Sequence, residues 1–182
     1  MILTGNEIER AVRDGRIDLE PFDPDLLNPN SYNYRLGAEI VELRSDVIDL
    51  RGEQRTVKVS IPPEGFRLEP RRVYLGTTLE VIGSDSFVPS LIGRSSLGRL
   101  GLFLQITADL GHLGTRHRWT LELKVVQPLI VYPGMRIGQV SFWKPEGADL
   151  LEGARYIQQT HSYAHFSEPQ PSMFHKLLDD QT

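Results

Sequence analysis

Hydrophobic and polar residues alternate along much of the chain between residues 34 and 143. A period of two is typical of short β-strands that bury one face. The pattern predicts strands over residues 34–36, 40–43, 57–61, 66–68, 73–81, 102–106, 119–125, 129–131 and 137–143. Turn residues separate them, as in Pro62-Pro63-Glu64-Gly65 and Tyr132-Pro133-Gly134. Many short strands at this spacing favour a mainly β sandwich, jelly roll or barrel.

The N-terminal segment has a helical pattern instead. Thr4-Gly5-Asn6-Glu7 matches a capping box, in which two side chains satisfy the first N–H groups of a helix. Apolar residues then recur on one helical face, and Gly15 supplies a stop signal. We therefore expect a helix over residues 5–14, followed by a helical turn over residues 23–27.

Composition places the chain among ordinary globular proteins, with 182 residues, 40% hydrophobic and 24% charged. We expect a single domain over residues 1–182, with an irregular tail or lid from about residue 145. The net charge of −4 argues against a nucleic-acid partner. The chain has no cysteine, which excludes thiolate chemistry and the Pro-Cys-x-x-Cys zinc element of nucleobase deaminases, and favours a cytoplasmic protein. No apolar run is long enough to predict a membrane span.

Residues Gly93 to Gly101 combine two arginines and two serines between glycines, a combination that suits an anionic ligand. Arginine offers a fork of donors that matches phosphate, and glycine allows backbone N–H groups to approach closely. A helix that begins near Ser95 would direct its first N–H groups at a phosphate, with added charge from Arg94 and Arg99. The alternative is a polar surface turn with no ligand.

Glu122 lies in Trp119-Thr120-Leu121-Glu122-Leu123-Lys124-Val125, where the odd positions are apolar, so its side chain faces away from the core. One interpretation is a solvated strand face. The other is a cleft between subunits or domains, where partial burial would suit the carboxylate to proton transfer. The periodicity leaves both open. His112 and His117 have a spacing more typical of a loop surface than of a metal site, so we expect no metal ligands from the protein.

Taken together, these residues resemble the dCTP deaminase family, a branch of the trimeric dUTPase-like superfamily. The matching blocks are Met1–Leu3, Ile17–Phe22, Asn28–Gly37, Gly93–Leu102, Thr107–Ala108, Leu121–Glu122, Pro133–Phe142 and Arg155–Gln159. They extend from residue 1 to about residue 160, and the arginine–serine block followed by Leu-Glu is the most specific of them. The resemblance implies a distorted jelly roll or β-barrel (β-clip) with a short N-terminal helix and a C-terminal lid.

The resemblance also implies a reaction: zinc-independent hydrolysis of dCTP to dUTP and ammonia. Glu122 matches the general acid/base of the family. Ser95, Arg99 and the backbone of Ala108 match the groups that position the water molecule and Glu122.

Substrate contacts follow from the same resemblance. Arg94 and Ser96 match phosphate contacts, and Arg155, Tyr156 and Gln159 match lid residues that close over the nucleotide. Magnesium is expected on the triphosphate rather than on protein side chains. Members of the family are homotrimers whose active sites lie between subunits. The arginines and the glutamate of one active site would therefore come from different chains.

The sequence departs from the family pattern at two places, and the second of them keeps alternatives open. Asn33 stands where the family has aspartate, at a position that we expect to be structural. The residues His112-Leu113-Gly114-Thr115 stand where the family has an Asp-Pro-Gly-aromatic element that holds the deoxyribose. The alternatives are a deaminase of another cytosine nucleotide, including a ribonucleotide, a bifunctional dCTP deaminase/dUTP diphosphatase, and a non-catalytic nucleotide-binding trimer. The missing acid argues against the second alternative. Retention of Glu122, Ser95 and Arg99 together argues against the third, because binding alone needs no proton shuttle.

Overall fold

The computed structural model describes residues 1–104, 108–147, 163 and 166–179. Within these residues the helices are α1 (Gly5–Arg13), α2 (Ser95–Gly98) and α3 (Phe174–Asp179), with a 3-10 turn at Pro24–Leu26. The strands are β1 (Asp18–Glu20), β2 (Leu27–Asn28), β3 (Ser31–Arg35), β4 (Glu39–Leu43), β5 (Thr56–Ser60), β6 (Phe66–Leu68), β7 (Tyr74–Thr77), β8 (Val81–Gly83), β9 (Val88–Gly93), β10 (Leu102–Leu104), β11 (Arg116–His117), β12 (Thr120–Val125), β13 (Leu129–Val131) and β14 (Arg136–Trp143). The predicted mainly β fold with a short N-terminal helix is confirmed.

In the part of the chain that the structure describes, four antiparallel sheets share one hydrophobic core. The largest has five strands in the order β10-β12-β7-β4-β5, and the next has four in the order β2-β3-β14-β9. Two smaller sheets, β1-β8-β11 and β13-β6, complete the set. Fully buried aromatic side chains from the four-stranded sheet, Tyr32, Tyr34 and Phe142, anchor the core. Among the described residues, no helix has the length and apolarity needed to cross a bilayer.

Helix α1 forms where the sequence predicts it, but the prediction of a capping box is wrong. Thr4 occupies the N-cap position with extended backbone, yet its side chain makes no capping hydrogen bond. The carbonyl of Pro29 instead accepts from the N–H of Gly5 at 2.9 Å. Glu7 pairs with Arg10 at 2.8 Å rather than reaching back to the cap. A carbonyl of a neighbouring loop thus satisfies the N–H of the first helical residue, a group that a capping box does not serve.

Most predicted strands form within a few residues of their expected ends, with two notable differences. The segment 73–81 contains two strands, β7 and β8, because the chain turns between them: Thr78 Oγ1 donates to the carbonyl of Glu80 at 2.7 Å. Strand β9 was not predicted, because Pro89 disrupts its alternation. It pairs with β14 over its whole length and lies at the edge of its sheet, where proline is tolerated.

A buried ion pair ties β3 to the turn between β7 and β8. Glu80 is fully buried, and its carboxylate accepts from Arg35 Nε at 2.6 Å and from the Arg35 backbone N–H at 2.9 Å. Burial would lower the pKa of Arg35, but the hydrogen bond and charge of Glu80 raise it above its ordinary value. A charge in the interior is costly unless it is paired, so this pair fixes the turn to the sheet.

Asn33 has the structural role that the sequence predicted. It is buried, and its Nδ2 donates to the carbonyl of Leu26 and to Asn28 Oδ1, each at 3.1 Å. Its Oδ1 accepts from Gln139 Nε2 at 3.4 Å. These bonds connect β3 to the chain before it and to β14.

Candidate active site

Glu122 lies on β12, a strand whose two faces have different surroundings. Leu121, Leu123 and Val125 point into the core and are at most 2% exposed. Glu122 and Lys124 are exposed on the opposite face. The predicted orientation of Glu122, away from the core, is confirmed.

A cavity of about 360 Å³ opens on this face of the sheet, and Glu122 lines it. Among the described lining residues, Glu122 supplies the one carboxylate. The wall also includes Ala108, His112, His117 and Trp119. Aromatic surface with a few convergent polar groups is the usual character of a small-molecule site.

Trp119 forms a wall of the cavity in a fixed orientation. Its Nε1 donates to the carbonyl of Ile82 at 3.0 Å, and its backbone N–H donates to Thr78 Oγ1 at 2.9 Å. The ring packs against Gly111, where an added Cβ would come within 2.5 Å of the indole. The ring of His117 lies 4.3 Å from the indole, centroid to centroid. Hydrogen bonds and packing therefore order this wall before any ligand arrives.

The segment that carries Ala108 is held to strand β9. Ser90 Oγ donates to Asp109 Oδ2 at 3.0 Å, and the N–H of Gly111 donates to the carbonyl of Pro89 at 2.7 Å. These bonds place Ala108 at the same cavity as Glu122. Two of the predicted site residues are thus brought together within one chain.

The arginine–serine block lies elsewhere. Helix α2 begins at Ser95, as predicted, with Arg94 at its N-cap. Ser95, Ser96 and Arg99 are exposed, and Arg94 Nη1 donates to the carbonyl of Arg136 at 3.5 Å. None of the residues 94–99 lines the cavity. Within one chain, the block and Glu122 are therefore separate.

The predicted lid residues Arg155, Tyr156 and Gln159 lie outside the described residues. Other parts of the tail do reach the site: Tyr163, Gln170 and Ser172 line the cavity. Sequence reasoning missed them, because the tail carries no periodicity or motif that would indicate contact with a strand some fifty positions earlier.

The prediction of a loop surface is wrong for His117. This residue belongs to β11, is 7% exposed and has its Nδ1 3.0 Å from the carbonyl of Arg118. His112 is exposed but also lines the cavity. Within the described part of the chain, no three side chains of the metal-binding types lie close enough to hold an ion.

Comparison with known proteins places this geometry in context. A family model described as dCTP deaminase-like matches residues 2–145. The dUMP-forming dCTP deaminase of Hathewaya histolytica is 46% identical over 147 residues, which is 81% of this chain and 85% of the relative. The dCTP deaminase of Rhodopirellula baltica is 41% identical over 179 residues, 98% of this chain and 86% of the relative.

A third relative, the dUMP-forming dCTP deaminase of Clostridium acetobutylicum, is 40% identical over 176 residues, covering 97% of this chain and 98% of the relative. Among solved structures, the 2′-deoxycytidine 5′-triphosphate deaminase of Agrobacterium tumefaciens superposes with a TM-score of 0.63 at 21% identity. It covers 88% of this chain, which spans 53% of that longer chain, and at this identity it shows a shared fold. The chain belongs to the dCTP deaminase-like family.

Proposed function

We propose that this protein hydrolyses the 4-amino group of dCTP and releases ammonia. The observation that carries the proposal is the position of Glu122, a carboxylate on the wall of a 360 Å³ cavity beside the ordered indole of Trp119. The indole offers a flat apolar surface for a pyrimidine ring. Relatives named dCTP deaminase, at 40% to 46% identity, support the choice of substrate.

In the proposed reaction Glu122 moves two protons. Its carboxylate first takes a proton from water as the hydroxide forms a bond to C4, and it delivers that proton to N3 of the ring. The remaining hydroxyl proton then passes through Glu122 to the 4-amino group. The C4–N bond breaks, ammonia leaves, and the ring becomes a uracil. Preorganised donors, in the roles proposed for Ser95, Arg99 and the backbone of Ala108, would stabilise the charge that develops at C4.

We further propose that the triphosphate is bound by the arginine–serine block of an adjoining subunit in a homotrimer. In support, the block does not line the cavity of its own chain. The large apolar side chains of Leu100, Phe103 and Val126 beside it are 56%, 41% and 67% exposed, which is typical of a surface that another subunit covers.

Magnesium would enter this site with the nucleotide. Between Gly93 and Gly101 the polar side chains are arginines and serines, with no carboxylate. Guanidinium and hydroxyl groups fit phosphate oxygens, whereas Mg²⁺ prefers carboxylate, phosphate and water ligands. The block thus suits the phosphates, and phosphate oxygens would hold the ion.

The lack of cysteine supports a cytoplasmic location.

The proposed product is dUTP. His112, a cavity residue, stands where the resemblance expects the acid that bifunctional members need for diphosphate cleavage. A second candidate, a bifunctional enzyme that forms dUMP, is favoured by the names of two relatives, from Hathewaya histolytica and Clostridium acetobutylicum.

Product analysis tests both candidates. Purified protein with Mg²⁺ is incubated separately with dCTP, CTP and dCMP, and ammonia, pyrophosphate and the nucleotide products are measured. We expect ammonia and dUTP from dCTP without pyrophosphate. Appearance of dUMP with pyrophosphate would establish the second candidate, and absence of ammonia from all three nucleotides would contradict deamination. Faster turnover of CTP than of dCTP would show a ribonucleotide enzyme.

Arg94→Ala is expected to weaken binding more than chemistry. Loss of one charge-assisted hydrogen bond to phosphate costs about 1.5–3 kcal/mol, so KM for dCTP should rise about tenfold or more. Steady-state kinetics would show this, with kcat changed much less. Arg13→Ala is the control, since Arg13 lies exposed on α1 and should leave KM unchanged. An unaltered KM in Arg94→Ala would remove this residue from the phosphate site.

A further inference from the structure

His117 is a buried polar side chain of the candidate site to which the proposed reaction assigns no role. It is 7% exposed, yet it lines the same cavity as Glu122. In the proposed reaction, Glu122 alone transfers protons at C4 and N3. Buried polar groups form hydrogen bonds, and a few placed polar groups fix the orientation of a ligand in an otherwise apolar cavity. The hydrogen-bonding character of His117 therefore bears on which ligand groups fit beside it.

One ring nitrogen of His117 is bonded to the protein backbone. Its Nδ1 lies 3.0 Å from the carbonyl oxygen of Arg118. Because a carbonyl oxygen only accepts hydrogen bonds, the hydrogen of the neutral ring is on Nδ1, and Nε2 is an acceptor. Nε2 is also the ring nitrogen that lies farther from the backbone. His117 therefore offers an acceptor, not a donor, at the outer edge of its ring.

The ring of His117 has a fixed position as well as a fixed tautomer. It packs on the indole of Trp119, with the two ring planes inclined by 34°. Arg116, the preceding residue on β11, is exposed and donates to the two carboxylate oxygens of Asp85 at 2.6 and 3.2 Å, and to the carboxylate of Asp18. These ion pairs attach the two-residue strand to β1 and to the chain that follows β8. An acceptor held in this way is preorganised for a ligand.

The chemistry of the nucleotide indicates which of its groups reaches His117. In a cytosine nucleotide, C4 and N1 are at opposite corners of the pyrimidine ring, and the sugar is attached to N1. When C4 is at Glu122, the sugar therefore points away from this carboxylate. Along the chain Trp119 lies between Glu122 and His117, and all three residues line the cavity. A base on the indole, with C4 at Glu122, thus directs its sugar toward the part of the cavity that His117 lines.

We propose that His117 is a specificity-determining residue whose Nε2 accepts a hydrogen bond from the 3′-hydroxyl of dCTP. The deoxyribose of dCTP has a single free hydroxyl, at C3′, so this group is the one strong hydrogen-bond donor of the sugar. A site that bonds a hydroxyl discriminates against an analogue that lacks it, because the buried acceptor then loses its ligand donor. This inference rests on the proposed function, because it takes dCTP as the occupant with C4 at Glu122.

Comparison of dCTP with 2′,3′-dideoxy-CTP tests the contact. The Kd of each nucleotide is measured by equilibrium dialysis with Mg²⁺ in the Glu122→Gln background, which is expected to bind dCTP without converting it. With His117 present, dideoxy-CTP should bind about tenfold to hundredfold more weakly than dCTP. His117→Phe keeps an aromatic ring on the indole but has no acceptor, so the two Kd values should then agree within about threefold. An unchanged preference for dCTP in His117→Phe would overturn the proposal.

Further variants separate the hydrogen bond from a structural effect. His117→Gln places an amide oxygen near the position of Nε2, so it should keep a preference for dCTP of about fivefold or more. His112→Phe is the matched control, since His112 is the second histidine among the described lining residues, and it should keep the full preference. Loss of the preference in His112→Phe, or equal Kd values in His117→Gln, would contradict the proposed contact. Thermal unfolding checks that each variant is folded, and the smaller His117→Leu gives the same test if His117→Phe is not.

Ammonia release from dCTP by the parent protein separates this inference from the proposed function. If His117 sets the preference between the two nucleotides but no ammonia forms, the sugar contact stands and deamination fails. If ammonia forms and the preference persists in His117→Phe, deamination stands and the sugar contact fails. If dCTP does not bind at all, both fail together.

Discussion

Replacing Glu122 by glutamine is expected to lower the rate of ammonia release from dCTP by at least about 10³-fold. Glutamine keeps the size and hydrogen-bonding reach of the side chain but cannot accept the proton of the attacking water. In the proposed reaction both proton transfers pass through this carboxylate, so neither addition to C4 nor departure of ammonia retains its catalyst. Binding should change little, because the aromatic wall and the phosphate contacts remain.

Single-turnover measurements with the enzyme in saturating excess over dCTP, alongside equilibrium dialysis, would separate rate from affinity. Lys124→Gln is the matched control, since Lys124 lies two positions further along the same exposed face of β12 and does not line the cavity. That variant should keep nearly full activity. Both variants should retain the stability of the parent, because substitutions at exposed positions change it by about 0.5 kcal/mol or less. Residual activity near the parent value in Glu122→Gln would remove this residue from the mechanism.

Removal of the carboxylate of Glu80 should lower the free energy of unfolding more than any surface change. Glu80→Ala removes the acceptor of the Arg35 guanidinium and of the Arg35 backbone N–H, and the Arg35 side chain is only 22% exposed. Breaking such a pair from one side costs about 3 kcal/mol. That loss is a large share of the 5–15 kcal/mol that is typical of a folded domain. Urea unfolding, followed by intrinsic fluorescence, would measure it.

A second ion pair provides the control for this prediction. Glu9 and Arg13 on α1 are 3.5 Å apart with side chains 41% and 73% exposed, so Glu9→Ala should cost about 0.5 kcal/mol or less. The loss of stability in Glu80→Gln should lie between the losses in Glu80→Ala and Glu9→Ala, because the amide oxygen of glutamine can still accept one hydrogen bond from Arg35. A loss in Glu80→Ala as small as that in Glu9→Ala would show that the pair does not stabilise the fold.

Local signals were sufficient to predict the parts of the fold that depend on nearby residues. Helix α1 follows from the apolar face of residues 5–13 and from Gly15 after it. The orientation of Glu122 follows from strict alternation along β12. In both cases one element alone decides which side chains face the core.

Long-range contacts account for what the sequence did not predict. Strand β9 contains Pro89 and owes its conformation to pairing with β14, some fifty positions later. Glu80 falls within an apolar alternation that gives no sign of burial, and only its approach to Arg35 explains it. The cavity likewise depends on tail residues such as Gln170, whose contact with β12 has no local signature.

The separation of the two faces of β12 has a consequence for how this protein can change over time. Leucine and valine anchor one side, so side chains on the other side, and the loop that carries His112, can be exchanged without disturbing the leucines beneath. Substitutions that change the substrate preference would then lower the free energy of unfolding only slightly. Homologues with altered nucleotide selectivity should accordingly differ most in the side chains around Glu122 and least in the layer directly under it.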